Sequence, residues 1–109
     1  MSGDFFVVRG DFFHYRDPEH EREIHGFATL EAAQDYARRL IRDSIEEMRE
    51  PGLSPAEVHA RYRMFGEYVI VRGLDTAAWE AHCVANPATL PEETDYLSLD
   101  PRRGDASPS

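Results

Sequence analysis

The chain of 109 residues, 41% of them hydrophobic, is long enough for one domain with a single core and too short for two. Its formal charge of −9 argues against nonspecific binding to nucleic acid or to an anionic membrane, because both begin with cations on phosphate. The chain has no lysine, which excludes Schiff-base chemistry and fits a GC-rich bacterial coding sequence. One cysteine, Cys83, excludes an internal disulfide framework. We therefore expect a soluble, cytoplasmic bacterial protein with no secretion signal, no membrane-spanning segment and no cofactor.

Residues 5–16 predict a β-hairpin at the start of the chain. Two apolar runs, FFVVR and FFHYR, flank Gly10-Asp11, a pair suited to a tight type II′ turn. In that register one face turns toward the core and consists of Phe6, Val8, Phe13 and Tyr15. The other face is too apolar for an ordinary solvated surface, so we predict that it is an interaction surface. It consists of Phe5, Val7, Arg9, Phe12, His14 and Arg16.

A charged turn region follows the hairpin, and a short third strand is predicted at Ile24 to Ala28. Three histidines, His14, His20 and His25, lie in or beside this region among four acidic residues. Imidazole and carboxylate together suit a divalent transition metal such as zinc or nickel, so the three histidines are candidate ligands. Their spacing forms neither a helical ligand pair nor a tight ligand turn, and the alternative is a solvated, charged loop between strands.

The segment Thr29 to Glu50 is predicted to be the long helix around which the fold is organised. Apolar residues recur along it at steps of three and four, which gives one apolar face over its whole length. Thr29 is placed to cap the first amide groups, and Pro51-Gly52 supplies the stop. The apolar face needs a partner, and we expect the hairpin and the last strand to provide it.

A second helix and a further strand are predicted in the middle of the chain. Ser54 and Glu57 form a capping box at the start of a short helix that continues to Tyr62. The segment Glu67 to Arg72 has the β-branched content and the length of a buried strand.

A third helix is predicted to follow Asp75 and to end at Asn86-Pro87. Trp79 and Cys83 lie four residues apart on it and share one face, which we expect to pack in the core. Cys83 stands beside His82, but adjacent helical residues point about 100° apart, so the two do not form a nucleophile and base pair. We interpret Cys83 as a small buried hydrophobic residue.

The sequence divides into a folded domain at residues 1–86 and an acidic tail rich in proline and serine at residues 87–109, which we predict to be disordered. The predicted fold class is α+β, a small single domain with the element order βββααβα. It has an antiparallel sheet of three to four strands, with one long helix packed on one face and two shorter helices.

No catalytic motif and no phosphate-binding loop is present in the sequence, so function is inferred from surfaces. The leading hypothesis is a protein-interaction or regulatory module without catalytic activity, whose partner is an unknown protein or a second copy of the chain. One alternative is a small metal-binding protein or enzyme that uses the region of His14, His20 and His25. Another is an acidic mimic of nucleic acid that occupies the cationic groove of a DNA-binding protein.

Overall fold

A three-stranded antiparallel sheet and three helices make up residues 5–15 and 17–102, the part of the chain that the computed structural model describes. The strands are β1 (Phe5–Asp11), β2 (Arg22–Phe27) and β3 (Glu67–Ile70), and β1 lies in the middle of the sheet. The helices are α1 (Leu30–Glu47), α2 (Pro55–Phe65) and α3 (Thr76–Ala85). This architecture confirms the predicted α+β fold class, with one strand fewer than the predicted order. Within the described ranges, no helix has the length and hydropathy that crossing a membrane requires.

The predicted hairpin at residues 5–16 is wrong, because β1 continues through Gly10 and Asp11. The chain then forms a short 3₁₀ helix at Phe12–His14, and the Asp11 carboxylate caps its first turn. Gly10 makes room for a contact across the sheet, since a Cβ there would lie 2.6 Å from the Tyr68 hydroxyl oxygen. The turn preference of a Gly-Asp pair is therefore overridden by an aromatic contact from a distant part of the chain.

The side chains of β1 alternate as predicted, but the two faces are exchanged. Val7 is fully buried and packs in the core with Ile24 of β2 and Val69 of β3. Phe6 and Val8 therefore face away from α1. Because both faces of β1 carry apolar side chains, a period of two residues does not decide which face is inside.

Helix α1 carries the core, as predicted. The Thr29 hydroxyl oxygen accepts a hydrogen bond from the Ala32 amide at 3.0 Å and caps the first turn. One polar residue of the inner face, Ser44, is also buried. Its hydroxyl oxygen accepts from the Glu67 amide at 2.9 Å, which ties the start of β3 to α1. The other buried residues of this face include Ala33, Tyr36, Ala37, Leu40, Ile41 and Ile45.

The caps of the two shorter helices are also as predicted. Ser54 and Glu57 form the capping box of α2, with the Glu57 amide donating to the Ser54 hydroxyl oxygen at 3.2 Å. The Asp75 carboxylate caps the first turn of α3. Trp79 packs against the core and donates its indole N–H to a backbone carbonyl of α1 at 2.9 Å. Local sequence signals therefore place both helices correctly.

The segment after Pro87 differs from the predicted disordered tail, because residues 88–102 pack on the folded domain. The segment forms two short 3₁₀ helices, at Pro91–Thr94 and Leu97–Leu99, and places Tyr96 against the core. The folded part of the described chain thus extends past residue 86. The rest of the predicted tail, residues 103–109, lies outside the described residues.

Two charged side chains of α1 hold this segment. Arg42, only 4% exposed, donates to the Asn86 carbonyl at 2.8 Å and has its Nε 3.6 Å from the Glu93 carboxylate. The Glu46 carboxylate accepts from the Ala88 amide at 3.1 Å. The two hydrogen bonds join residues 44 and 42 positions apart. Local composition does not reveal contacts of this kind, which explains why the segment resembles a tail in the sequence.

Candidate interaction surface

The face of the sheet that points away from α1, which we call the open face, is apolar and accessible. It carries Phe6 and Val8 of β1 beside Ile70 of β3, and Val8 and Ile70 are direct partners in the ladder. Phe6 is 44% exposed and Ile70 is 43% exposed. Strand alternation explains the placement, since the neighbouring Val7 and Val69 are fully buried on the other face. Exposed apolar side chains that adjoin one another in this way are typical of interaction surfaces.

A groove lies at one end of the open face, where β3 ends and β1 continues. The ladder joins residues 8–11 to residues 67–70, so the first residues of β1 extend beyond it. Past β3 the chain turns away at Gly73, which has a φ of +82°, and Gln34 of α1 donates to the Arg72 carbonyl at 2.8 Å. The groove has a volume of about 400 Å³, within the range of small-ligand pockets. It is lined by Phe5, Phe6, Val8, Leu30, Ile70, Val71 and Arg72.

Charged side chains flank the groove on two sides. Arg72 is the charged residue of its lining. On the β2 side, His25 Nε2 lies 2.8 Å from Glu23 Oε1, and the His25 ring stacks on Phe6 with 4.8 Å between centroids. The groove therefore combines an apolar floor with a cation at one rim and a paired acid and imidazole at the other, an arrangement typical of protein interfaces.

The opposite end of the open face carries a cluster of aromatic rings. Phe12 lies between the sheet and α2, with its ring centroid 5.1 Å from that of Tyr62 and 5.2 Å from that of Tyr68. Tyr15 stacks on Phe12 at 5.7 Å, and the Arg63 guanidinium lies 5.2 Å from the centroid of the same Phe12 ring. A smaller cavity of about 140 Å³ lies among these rings and Ile70, so the groove of about 400 Å³ is the larger of the two.

Three further exposed apolar side chains, which we call the apolar tip, lie near these rings. It consists of Phe13, Met64 and Phe65, which are 72%, 58% and 58% exposed. Phe13 follows the carboxyl end of β1, and Met64 and Phe65 end α2 just before β3 begins. A hydrogen bond of 2.9 Å from the Phe12 amide to the Gly66 carbonyl joins the two segments. Because β1 and β3 are antiparallel, the tip and the groove lie at opposite ends of this strand pair.

Among the six residues predicted to form an interaction surface, Phe5 is the one that lines the groove. Val7 requires a correction, since its side chain is fully buried in the core. Arg9 points toward α1, where its Nε donates to the Glu67 carboxylate at 2.8 Å and its Nη1 donates to the Tyr36 hydroxyl at 3.2 Å. The predicted residues therefore do not share one face of the sheet.

The other three predicted residues lie away from the groove. Phe12 packs in the aromatic cluster, His14 belongs to the short 3₁₀ helix that follows β1, and Arg16 lies outside the described residues. Sequence reasoning missed Ile70 as a surface residue, although the signal was present. In a run of three apolar residues on a strand, the middle side chain faces away from the other two.

Two of the three candidate metal ligands, His14 and His20, lie side by side. The third, His25, lies on β2. The rings of His14 and His20 stack with centroids 3.6 Å apart and planes 5° from parallel. Each ring has its Nδ1 3.0 Å from an aspartate, Asp11 for the first and Asp17 for the second. Imidazole lone pairs lie in the ring plane, so two parallel rings do not direct them at one ion. Within the described residues, no group of three His, Cys, Asp or Glu side chains is arranged to hold a metal.

The chain matches no protein-family model, no curated protein and no solved structure.

Cys83 is buried, as predicted, and we expect it to resist alkylation in the native protein. Burial raises the pKa of its thiol from 9.0 to about 11, so that at pH 8 roughly one thiol in a thousand is in the reactive thiolate form. Iodoacetamide at about pH 8 should modify Cys83 in urea but not in buffer, as measured by intact mass. Rapid modification of the folded protein would contradict this.

The raised pKa of the Cys83 thiol also means that the free energy of unfolding falls as the pH rises from about 9 to about 11, because the thiol of the unfolded chain loses its proton first.

Proposed function

We propose that the protein is an interaction module without a catalytic role, and that the groove on its open face binds another protein. A second copy of the chain is the simplest partner. The observation that supports this proposal is the pair of exposed apolar side chains, Phe6 and Ile70, beside an apolar groove of about 400 Å³. The same proposal includes a cytoplasmic location in a bacterium. The single cysteine is a buried free thiol, which suits a reducing compartment. The chain uses arginine and no lysine, which suits a GC-rich bacterial coding sequence.

The charge distribution argues against direct binding to nucleic acid and against mimicry of it. A formal charge of −9 opposes contact with a phosphate backbone. Many acidic groups are paired with arginines, as Asp35 is with Arg38 and Glu46 with Arg49, so α1 presents alternating charges. A mimic of nucleic acid needs a continuous acidic face instead.

The size of the surface indicates a weak, reversible contact. Taking about 200 Å² for a large side chain, Phe6 and Ile70 together expose less than about 200 Å². A standard interface buries about 800 Å² on each partner. We therefore expect dissociation constants in the micromolar range or weaker, so association has to be measured at high protein concentration.

Replacing Ile70 with glutamate should abolish self-association, because the substitution places a charge in the apolar groove. Sedimentation equilibrium from about 10 μM to about 1 mM should show a rising average mass for the unmodified chain and a constant monomer mass for Ile70→Glu. Leu97→Glu is the matched control, since Leu97 is 58% exposed and does not line the groove. An unmodified chain that stays monomeric, or an Ile70→Glu variant that associates normally, would overturn the proposal.

A further inference from the structure

We infer that the apolar tip of one copy, formed by Phe13, Met64 and Phe65, inserts into the groove of another copy. This inference rests on the proposed function and names the occupant of the groove. It follows from the presence, on one small domain, of an exposed apolar groove and a separate set of exposed apolar side chains. Each surface leaves large apolar side chains in water, and a contact between them removes both exposures at once.

Shape favours the tip as the occupant over a second groove. Two open faces stacked on each other would place groove against groove and enclose an apolar void, and unfilled voids forfeit the packing contacts of their linings. Phe13 is 72% exposed in the short 3₁₀ helix that follows β1. An aromatic ring of this kind is well within the size that a groove of about 400 Å³ accepts.

The exposed area also disfavours a contact between two grooves. With about 200 Å² for each large side chain, the three residues of the tip expose about 350 Å² of mostly apolar surface. This is roughly twice the exposed area of Phe6 and Ile70 in the groove. A contact between tip and groove therefore buries more apolar surface than a contact between two grooves. It still falls below the roughly 1,200 Å² at which interfaces become stable, which indicates reversible association.

One pair of charges at the edges of the two surfaces is complementary. Asp11 stands two residues before Phe13, and its side chain is 35% exposed beside His14. Arg72 is the exposed cation at the rim of the groove. When the Phe13 ring enters the groove, an acid at the edge of the tip approaches a base at the edge of the groove. This pairing orients the contact, while the apolar area supplies most of the affinity.

The geometry makes the contact heterologous. Tip and groove lie at opposite ends of the β1–β3 pair, and the domain is elongated, with extents of 47 × 32 × 28 Å. A copy whose groove is filled still presents its own tip. Association between two different surfaces of this kind adds copies in sequence instead of stopping by symmetry at two.

A complementation experiment tests this inference. Phe13→Glu disables the tip and leaves the groove intact, whereas Ile70→Glu disables the groove and leaves the tip intact. Each variant alone should stay monomeric in sedimentation equilibrium, with self-association weakened at least about tenfold. An equimolar mixture of the two should form dimers, because one good tip meets one good groove. Phe65→Glu serves as a second tip variant, Leu97→Glu as the control of equal exposure, and circular dichroism checks that all of them fold.

The possible outcomes separate the two proposals. Restored dimers in the mixture support the contact between tip and groove. If Phe13→Glu and Phe65→Glu associate like the unmodified chain while Ile70→Glu does not, the occupant is not the tip, but the groove still mediates association. If the mixture stays monomeric although the unmodified chain associates, the inference is overturned. If the unmodified chain itself remains monomeric at about 1 mM, self-association fails altogether.

Discussion

Replacing Gly66 with alanine is expected to lower the unfolding free energy by about 3 kcal/mol. Gly66 follows the last turn of α2 and donates its amide to the Tyr62 carbonyl at 2.8 Å. A Cβ at this position would lie 2.7 Å from that carbonyl oxygen and 2.9 Å from the Ser44 hydroxyl oxygen. It would also press on the Tyr62 ring, which is fully buried. Because a backbone oxygen cannot rotate aside, helix and strand have to separate to admit the methyl group.

The comparison with Gly52→Ala isolates crowding as the cause. Gly52 has a φ of +93°, and no atom of the described residues lies within 4 Å of the position that a Cβ would take. Alanine there costs only the strain of a left-handed backbone, about 1 kcal/mol. Gly66 has a φ of −80°, which any residue adopts. Urea unfolding of both variants gives the difference directly, and equal loss of stability in the two would mean that the tight junction between α2 and β3 is not present.

Replacing Arg42 with alanine is expected to cost about 2 to 3 kcal/mol and to loosen residues 88–102. The side chain of Arg42 is 5% exposed and lies over the Trp79 ring, with 5.3 Å to its centroid. Removing it leaves the Asn86 carbonyl without its donor and opens a cavity beside Trp79. Glu93 and Glu46 are 29% and 23% exposed, so water replaces part of their lost interaction and the cost stays below that of a fully buried pair.

Arg38→Ala is the matched control for this substitution. Arg38 lies on the same helix, but its side chain is 36% exposed and pairs with Asp35 at the surface, so we expect a loss below about 1 kcal/mol. Limited proteolysis with chymotrypsin reports on the segment itself, because Tyr96 is held against the core in the native protein. Cleavage after Tyr96 should accelerate in Arg42→Ala and not in Arg38→Ala. Equally fast cleavage in the unmodified chain would show that the segment is not docked.

Helix starts were predictable from the sequence because their causes are local. Thr29, Ser54 with Glu57, and Asp75 each bond to an amide within three positions along the chain, so the residues that fix the helix start stand beside it in the sequence. The inner face of α1 was predictable for the same reason, since its period of 3.6 residues extends over five turns. These signals determined three helices and, through them, the fold class.

The first strand shows where local reasoning fails. Gly10-Asp11 has the composition of a turn, but Tyr68, 58 residues later, lies across Gly10 and keeps the strand straight. The same limitation affected the segment after Pro87, which Arg42 and Glu46 hold from α1. In both places a contact between distant residues outweighs a local preference, and one sequence does not identify the partner.

The candidate site was only partly predictable. An apolar, uncovered sheet face was expected from the surplus of aromatic residues in β1, and Phe5, one of the residues predicted for it, lines the groove. The sequence prediction places Phe6 and Val8 in the core and Val7 at the surface, whereas the structure has the two faces of β1 the other way round. The apolar tip was missed because Phe13 was placed in a strand that does not form. A surface depends on which face is inside, so one inverted strand changes the whole site.

If the open face and the apolar tip are contact surfaces, their NMR signals depend on protein concentration, and a dilution series measures this. Between about 1 mM and about 10 μM, the signals of Val8 and Ile70 in the groove and of Phe13 and Phe65 in the tip should shift together with concentration. Leu97 and the buried residues of α1 should not shift. Signals that stay constant over the whole range, or that shift only at residues remote from both surfaces, would show that neither surface mediates association.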